Sequence, residues 1–217
     1  MLTHDIKNPL SAVMGFTEIL RDQLQEGADP KESIDHIESS AQQAMTLAIN
    51  FLDAERFESG VLQLHSKPIS LNTIVEHVLR HQAPRARLRP IVLRSDLSAE
   101  VPLLDLDEPL VDRVFVNLVS NAIEYSPDGA EVVVTTRRRD QRVVVEVLDR
   151  GPGIPLEDRS RLFQRYSRGA GSRADSTGLG LFVVRTIVEA HGGFVEARFP
   201  PEGGSVFEVS FPIAARN

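Results

Sequence analysis

Apolar side chains recur at three- and four-residue steps from the start of the chain: Leu2, Ile6, Leu10, Val13, Phe16 or Thr17, Leu20 and Leu24. That period predicts an amphipathic helix running to about Gln25. Glu26-Gly27-Ala28-Asp29-Pro30 interrupts it with the composition of a loop. A second helical stripe follows through Ile34, Ile37, Ala41, Ala44 or Met45, Ala48 and Leu52, ending near Ser59-Gly60. Each helix of this hairpin has an apolar stripe and only one partner within the segment. Pairing two hairpins into a four-helix bundle buries both stripes, so the pattern predicts a homodimer.

From Val61 the pattern changes. Val61-Leu62-Gln63-Leu64 reads as a short strand, and Ser70 caps a helix through about Gln82 with Leu71, Ile74, Val75, Val78 and Leu79 inward. Short strands at Ile91–Ser95 and Leu103–Leu106 precede a helix over Glu108–Tyr125. Glu131–Arg138 and Arg142–Leu148 alternate β-branched and polar residues and predict a hairpin. Gly178–His191 reads as a buried helix, with closing strands at Gly193–Arg198 and Ser205–Phe211. Strands and helices mix without regular βαβ alternation. The fold class is therefore α+β, one mixed sheet with helices on one face, after an N-terminal helical hairpin.

Composition narrows the chemistry. With 217 residues, one large or two modest domains are expected, and 41% hydrophobic residues suffice for a core. There is no cysteine, which excludes disulfides and thiolate metal sites. No apolar run approaches a membrane span and no signal peptide is visible. The net charge of −7 lies entirely in residues 1–58, which hold four basic and eleven acidic side chains; the remainder holds twenty of each. Nucleic acid is a poor partner for such a segment. Arg137-Arg138-Arg139 abuts Asp140-Gln141 between two strands and reads as a solvated hairpin turn.

Several stretches carry candidate chemistry. His4 and Asn8 lie one turn apart on one helix face, Asp5 adjoins His4, and Pro9 leaves the Asp5 carbonyl without its helical partner. Asp149-Arg150-Gly151-Pro152-Gly153 places a carboxylate at a strand end before a tight turn, where it can accept from an exocyclic amine such as adenine's. Thr177-Gly178-Leu179-Gly180 opens an apolar helix, and N–H groups exposed there attract phosphate. Between them, 159–176 has the composition of a mobile lid, with Arg165, Arg168 and Arg173 available to phosphates. Asn117 and Asn121 share a helix face, and their amide oxygens suit Mg²⁺ bound to nucleotide phosphates. His77 and His81 stand at i,i+4 without an evident third ligand, and His191 ends a helix in a charge–dipole, C-cap position of structural character.

Taken in order, His4-Asp5-x-x-Asn8-Pro9, Asn117-Leu118-x-x-Asn121-Ala122-x-x-Tyr125-Ser126-Pro127, Asp149-x-Gly151-x-Gly153-Ile154, Phe163-x-Arg165-Tyr166 and Gly178-x-Gly180 resemble the sensor histidine kinases of two-component signalling. The resemblance covers essentially the whole chain. It implies a dimerisation and histidine phosphotransfer hairpin over 1–60 and, over 61–217, a catalytic α/β-sandwich domain of the Bergerat (GHKL) type that binds ATP and Mg²⁺. By this resemblance His4 is the phosphoacceptor, Asp5 orients its ring and takes its proton, and Asn8 places water for dephosphorylation of the partner. Asn117 and Asn121 form the Mg²⁺ site, Tyr125 contacts nucleotide, and Asp149 recognises adenine. Gly151, Gly153, Gly178 and Gly180 line the pocket with Thr177 and Leu179, and Arg168 is a lid residue near the γ-phosphate. The implied partners are a second copy and the receiver domain of a response regulator, and the implied location of this segment is cytoplasmic, any sensor or membrane anchor lying outside it.

The chain departs from the family's pattern at Glu124, where many members carry Lys or Arg, at Lys7-Asn8, where Arg-Thr is common, and at Asp175-Ser176-Thr177, which lacks an extra glycine. The alternatives are a GHKL-type ATPase and a pseudokinase that works as a dimeric scaffold. Such ATPases place a glutamate base where this chain has Asn117, and an amide cannot take a proton from water.

Overall fold

The β-branched alternation of the central hairpin sets the sheet. In a computed structural model that describes residues 2–58, 63–167 and 178–213, five strands pair in the order β2-β4-β5-β7-β6. They are β2 (Val92–Leu97), β4 (Glu131–Arg139), β5 (Arg142–Asp149), β6 (Phe194–Arg198) and β7 (Ser205–Pro212). The β2–β4 pair is parallel and the other three are antiparallel, so the sheet is mixed as expected. Two three-residue strands, β1 (Lys67–Ile69) and β3 (Leu104–Leu106), form a separate antiparallel ribbon. The strand expected at Val61–Leu64 is not formed at Gln63 and Leu64, and residues 59–62, with the boundary between the two segments, lie outside the described residues.

Helices α3 (Leu71–Leu88), α4 (Glu108–Tyr125) and α6 (Gly180–Ala190) cover one face of the sheet. Val132, Val134, Val143, Val145, Val147, Phe207, Val209 and Phe211 point into this layer and meet Val111, Phe115, Leu118 and Ile187. Each such fully buried side chain contributes about 1.5–3 kcal/mol by leaving water. α4 spans the residues expected of it because Asp107 caps it through Leu110 N–H at 3.3 Å, with Pro109 in its first turn. α3 runs past the expected end at Gln82, through Pro84, because Ala86 is buried and its carbonyl accepts from Ile91 N–H at 2.9 Å. A one-turn helix, α5 (Leu156–Arg159), ends where the expected lid begins.

Among the described residues, no helix covers the other sheet face. Glu146 and Glu208 lie opposite each other on β5 and β7 and share Arg139 and Arg198, at 2.5–3.3 Å. Burial alone would raise the Glu146 carboxyl, but Arg198 and Arg139 hold it below the usual range. Glu208, only 7% exposed, is pushed up by burial against the pull of the same arginines. Arg137 pairs with Asp96. These arginines are thus the paired cover of the sheet, and the turn they were expected to form is Asp140-Gln141, with Asp140 at φ 53°.

The hairpin consists of α1 (Leu2–Glu26), with Pro9 inside it, and α2 (Lys31–Glu58), packed antiparallel. Ser33 Oγ donates to Gln23 Oε1 at 2.7 Å, and the Phe16 and His36 rings stack at 4.3 Å. Among the described residues, no helix is long and apolar enough to cross a membrane.

His191 has a different role from the charge–dipole one expected. Its Nδ1 donates to Ile187 O at 2.8 Å and its Nε2 accepts from Asp107 N–H at 3.0 Å, which requires a neutral ring. The ring joins the end of α6 to the cap of α4. His191→Phe keeps the volume but leaves the Asp107 N–H buried without an acceptor. It is expected to lower unfolding free energy by about 1–3 kcal/mol in urea titrations, with His191→Gln losing less.

Candidate active site

The carboxylate singled out from sequence sits where β5 ends. Asp149 is 8% exposed, and its Oδ1 accepts from Gly151 N–H at 2.8 Å and Ser205 N–H at 3.1 Å. Burial pushes its carboxyl above the usual range, and the Gly151 and Ser205 hydrogen bonds pull the other way without cancelling the effect. Oδ1 is committed to these backbone donors, and the Ser205 hydroxyl bonds the carboxylate as well. Gly151 lies against the last turn of α4: a Cβ there would stand 2.9 Å from the Tyr125 carbonyl oxygen. Tyr125 and Asp149 thereby share one wall.

α4 brings up the two asparagines. Asn117 is buried, and its Nδ2 donates to the Arg113 carbonyl one turn back at 2.9 Å. That bond fixes the amide so that Oδ1 faces α6, 3.0 Å from where a Cβ of Gly180 would lie. Any side chain at Gly180 would press on the amide oxygen, so glycine keeps this approach open. Asn121 is half-buried one turn on. Glu124 is held by Arg85 of α3 at 3.1 Å. The cation beside this carboxylate therefore comes from α3. Arg89 closes the end of α4, bonding to the carbonyls of Ile123 and Ser126 and to Asp128 Oδ1 at 3.0–3.1 Å, and to the Glu124 carbonyl at 2.5 Å.

Asp149, Gly151, Gly153, Tyr125, Asn117, Asn121, Gly178, Leu179 and Gly180 thus fall on three adjoining segments, the β5 end, the α4 face and the α6 start. Arg168, Arg173 and Thr177 lie outside the described residues. Arg165, read as a lid cation, instead pairs with Glu55 of α2 and lies 4.8 Å over the Tyr166 ring. On the hairpin, His4 and Asp5 lie on α1, their side chains outside the described residues, with Asn8 half-buried and Pro9 buried. Ser205 is the residue that sequence reasoning missed; its only signal is Gly203-Gly204 opening the closing strand opposite Asp149. His77 Nδ1 contacts Asp112 Oδ1 at 3.1 Å, and no group of three metal-ligating side chains occurs among the described residues. A cavity of about 420 Å³ on the helix-free sheet face, lined by Leu148, Val206, Phe199, Pro200 and the paired Glu146 and Arg198, contains none of the motif residues.

Residues 106–215 match the family described as histidine kinase-, DNA gyrase B- and HSP90-like ATPase, and residues 1–60 match the His Kinase A (phospho-acceptor) domain. The chain belongs to the sensor histidine kinase family. It is 33% identical over 213 residues to the sensor protein KdpD of Escherichia coli, covering 97% of this chain and 24% of that relative. Its fold matches the Acinetobacter baumannii histidine kinase AdeS with a TM-score of 0.72 at 22% identity, covering 98% of both chains. It also matches histidine kinase ThkA in a complex with response regulator protein TrrA, with a TM-score of 0.69 at 24% identity over 98% of this chain and 60% of that one. The ATP-binding domain of this kinase core is the α/β unit that holds Asp149 and the asparagines.

The buried carboxylate gives an opposed effect on binding and stability. Asp149→Asn keeps an oxygen for the Gly151 and Ser205 N–H groups but replaces the other oxygen with an amine that cannot accept from a ligand amine. ATP affinity is expected to fall about tenfold or more, roughly 1.4 kcal/mol, by calorimetric titration. Because folding raises the Asp149 pKa, ionising it opposes the fold. The variant should therefore melt at the same temperature or higher at neutral pH, and this advantage should vanish once pH falls below the ordinary aspartate value.

Proposed function

We propose that this chain is an ATP-dependent protein histidine kinase that phosphorylates its own His4 and passes the phosphoryl group to an aspartate of a response-regulator receiver domain. The observation that carries the reading is the juxtaposition of a buried Asp149 with the Asn117 amide oxygen facing Gly180, in a chain whose first helix bears His4-Asp5-x-x-Asn8-Pro9. Asp149 Oδ2 accepts from the adenine amine, and the Tyr125 wall bounds the nucleotide. The Gly178–Gly180 backbone at the α6 start offers N–H groups to phosphate.

Asn117 and Asn121 fit a hard cation, since the bond to Arg113 leaves the Asn117 amide oxygen facing the Gly180 start of α6. Bound Mg²⁺ supplies charge neutralisation on the phosphates. A ring nitrogen of His4 forms the new bond to the γ-phosphorus as the bond to the ADP oxygen breaks, while Asp5 orients the imidazole and takes its proton. Catalysis is then positioning and charge compensation. Arg168 and Thr177 complete the phosphate-facing lid, and Asn8 places the water that hydrolyses the partner's acyl phosphate.

The chain acts as a homodimer on this reading. Met14 and Leu24 of α1 and Met45 and Leu52 of α2 are 56–69% exposed in a single hairpin, a stripe that a second hairpin would cover. The TrrA complex of ThkA supports a receiver domain as the second partner. Neither the ATPase nor the scaffold alternative is favoured. Asn117, having no proton-accepting carboxylate, argues against hydrolysis as the purpose.

Incubation with γ-labelled ATP and Mg²⁺ tests this. Native chain is expected to take up acid-labile, base-stable label that His4→Gln abolishes, and Asn121→Ala should slow labelling roughly tenfold or more. Tight ATP binding with no label on His4 would overturn the kinase reading in favour of a scaffold.

A further inference from the structure

The turn between α5 and α6 is gripped from two sides. Arg165 Nη2 donates to Glu55 Oε1 near the end of α2, and the guanidinium is 21% exposed, packed over the Tyr166 ring. Tyr166 adopts φ 61°, a left-handed conformation that a bulky residue keeps only when its surroundings hold it. On the opposite side, Gly178 at φ 66° is so close that a Cβ there would lie 2.4 Å from the Ser167 carbonyl oxygen. One short turn therefore touches both the hairpin and the glycine pair that opens α6.

The hairpin register shows where this grip falls. Gln23 meets Ser33 and Phe16 meets His36, so the backbone at position 4 lies opposite positions near 48–52 of α2. Glu55 is a few residues beyond, roughly 5–10 Å along the helix axis from the level of His4. The ATP-binding domain is thus fastened to the end of the hairpin that carries the acceptor, through an arginine that the sequence offered as a phosphate ligand.

We propose that the Arg165–Glu55 ion pair is a positioning tether, holding the ATP-binding domain beside the acceptor end of the hairpin so that His4 is phosphorylated at a high effective concentration. The inference rests on the kinase reading above for its functional consequence, and on geometry alone for the tether. Arg165 acts through the placement of the domain, not by touching nucleotide. Breaking the pair slows the encounter with His4 and leaves the nucleotide site intact.

The test is a charge swap in the full chain: Arg165→Glu, Glu55→Arg and the double variant. The chain has no cysteine, so Glu38→Cys and Gln141→Cys accept spin labels at one defined place in each segment. Labelled chains are diluted with unlabelled ones so that only intrachain distances are read. Either single reversal is expected to broaden the distance distribution and slow His4 labelling at saturating ATP roughly 2- to 5-fold, as suits a partly exposed ion pair. ATP affinity should stay within about twofold, and the double variant should restore both width and rate. The proposal falls if single reversals leave width and rate unchanged, if the double variant is no better than the singles, or if affinity moves with rate. A faster rate in the singles would also overturn it, because the contact would then be holding the domain away. If native chain never labels His4, the kinase reading fails, and the distance distributions still decide whether the tether exists.

Discussion

The hydrogen bonds around Asp107 are the constraint on which the rest of the ATP-binding unit depends. Its Oδ1 caps α4, its Oδ2 accepts from His65 N–H at 2.8 Å, and its own N–H donates to the buried His191 ring. Three parts of the chain converge there: the segment leaving the hairpin, the helix that carries both asparagines, and the end of the helix that begins at Gly180. Asn117 can face Gly180 at close range only if α4 and α6 keep one relative height. A neutral imidazole serves this better than an ion pair would, because it donates at one nitrogen and accepts at the other with no charge to desolvate.

The sheet handles its two faces by different physics. The inner face is closed by valines and phenylalanines under three helices. The outer face carries two glutamates directly opposite each other, a pairing that would repel without Arg139 and Arg198 between them. Those four side chains cover the floor of the central strands and leave the second half of the chain with balanced charge. The end of β5 is where the carboxylate of Asp149 is desolvated.

Much of this was legible in the residues. The 108–125 helix announced itself through its apolar stripe, and the central hairpin through β-branched alternation. Asp149 was legible because a carboxylate before two glycines stands out against an apolar strand. Half of the β1–β3 ribbon was legible, since Leu104–Leu106 lies within the strand read at Leu103–Leu106, but Lys67–Ile69 was not, because three residues carry too little period to register. The helix expected to end near Gln82 runs on through Pro84, where tertiary burial of Ala86 outweighs the lost hydrogen bond. Ser205 was hidden because Asp149, which both its N–H and its hydroxyl meet, lies 56 residues away in the chain. His191 could be placed at a helix end from sequence, but its tautomer depends on Asp107, far away in the chain. Arg165 misled for a related reason: composition shows that a cation is available and not which carboxylate will take it.

Charge segregation gives that last error its significance. The hairpin segment carries the entire net charge of −7, and the nucleotide that approaches His4 in the proposed reaction is itself a polyanion. Long-range electrostatics therefore disfavours bringing a nucleotide-loaded domain up to the hairpin. Screening at physiological ionic strength shortens that repulsion to about 8 Å without reversing it. What can overcome it is a short-range contact of opposite sign at the acceptor's level, made by a side chain that is not already neutralising phosphate. An arginine spent on α2 meets that requirement, and one spent on the γ-phosphate does not. A single cation near the lid cannot serve both ends of the reaction. On the proposed reading, the acidity of the first two helices is what the arginine contact on α2 offsets.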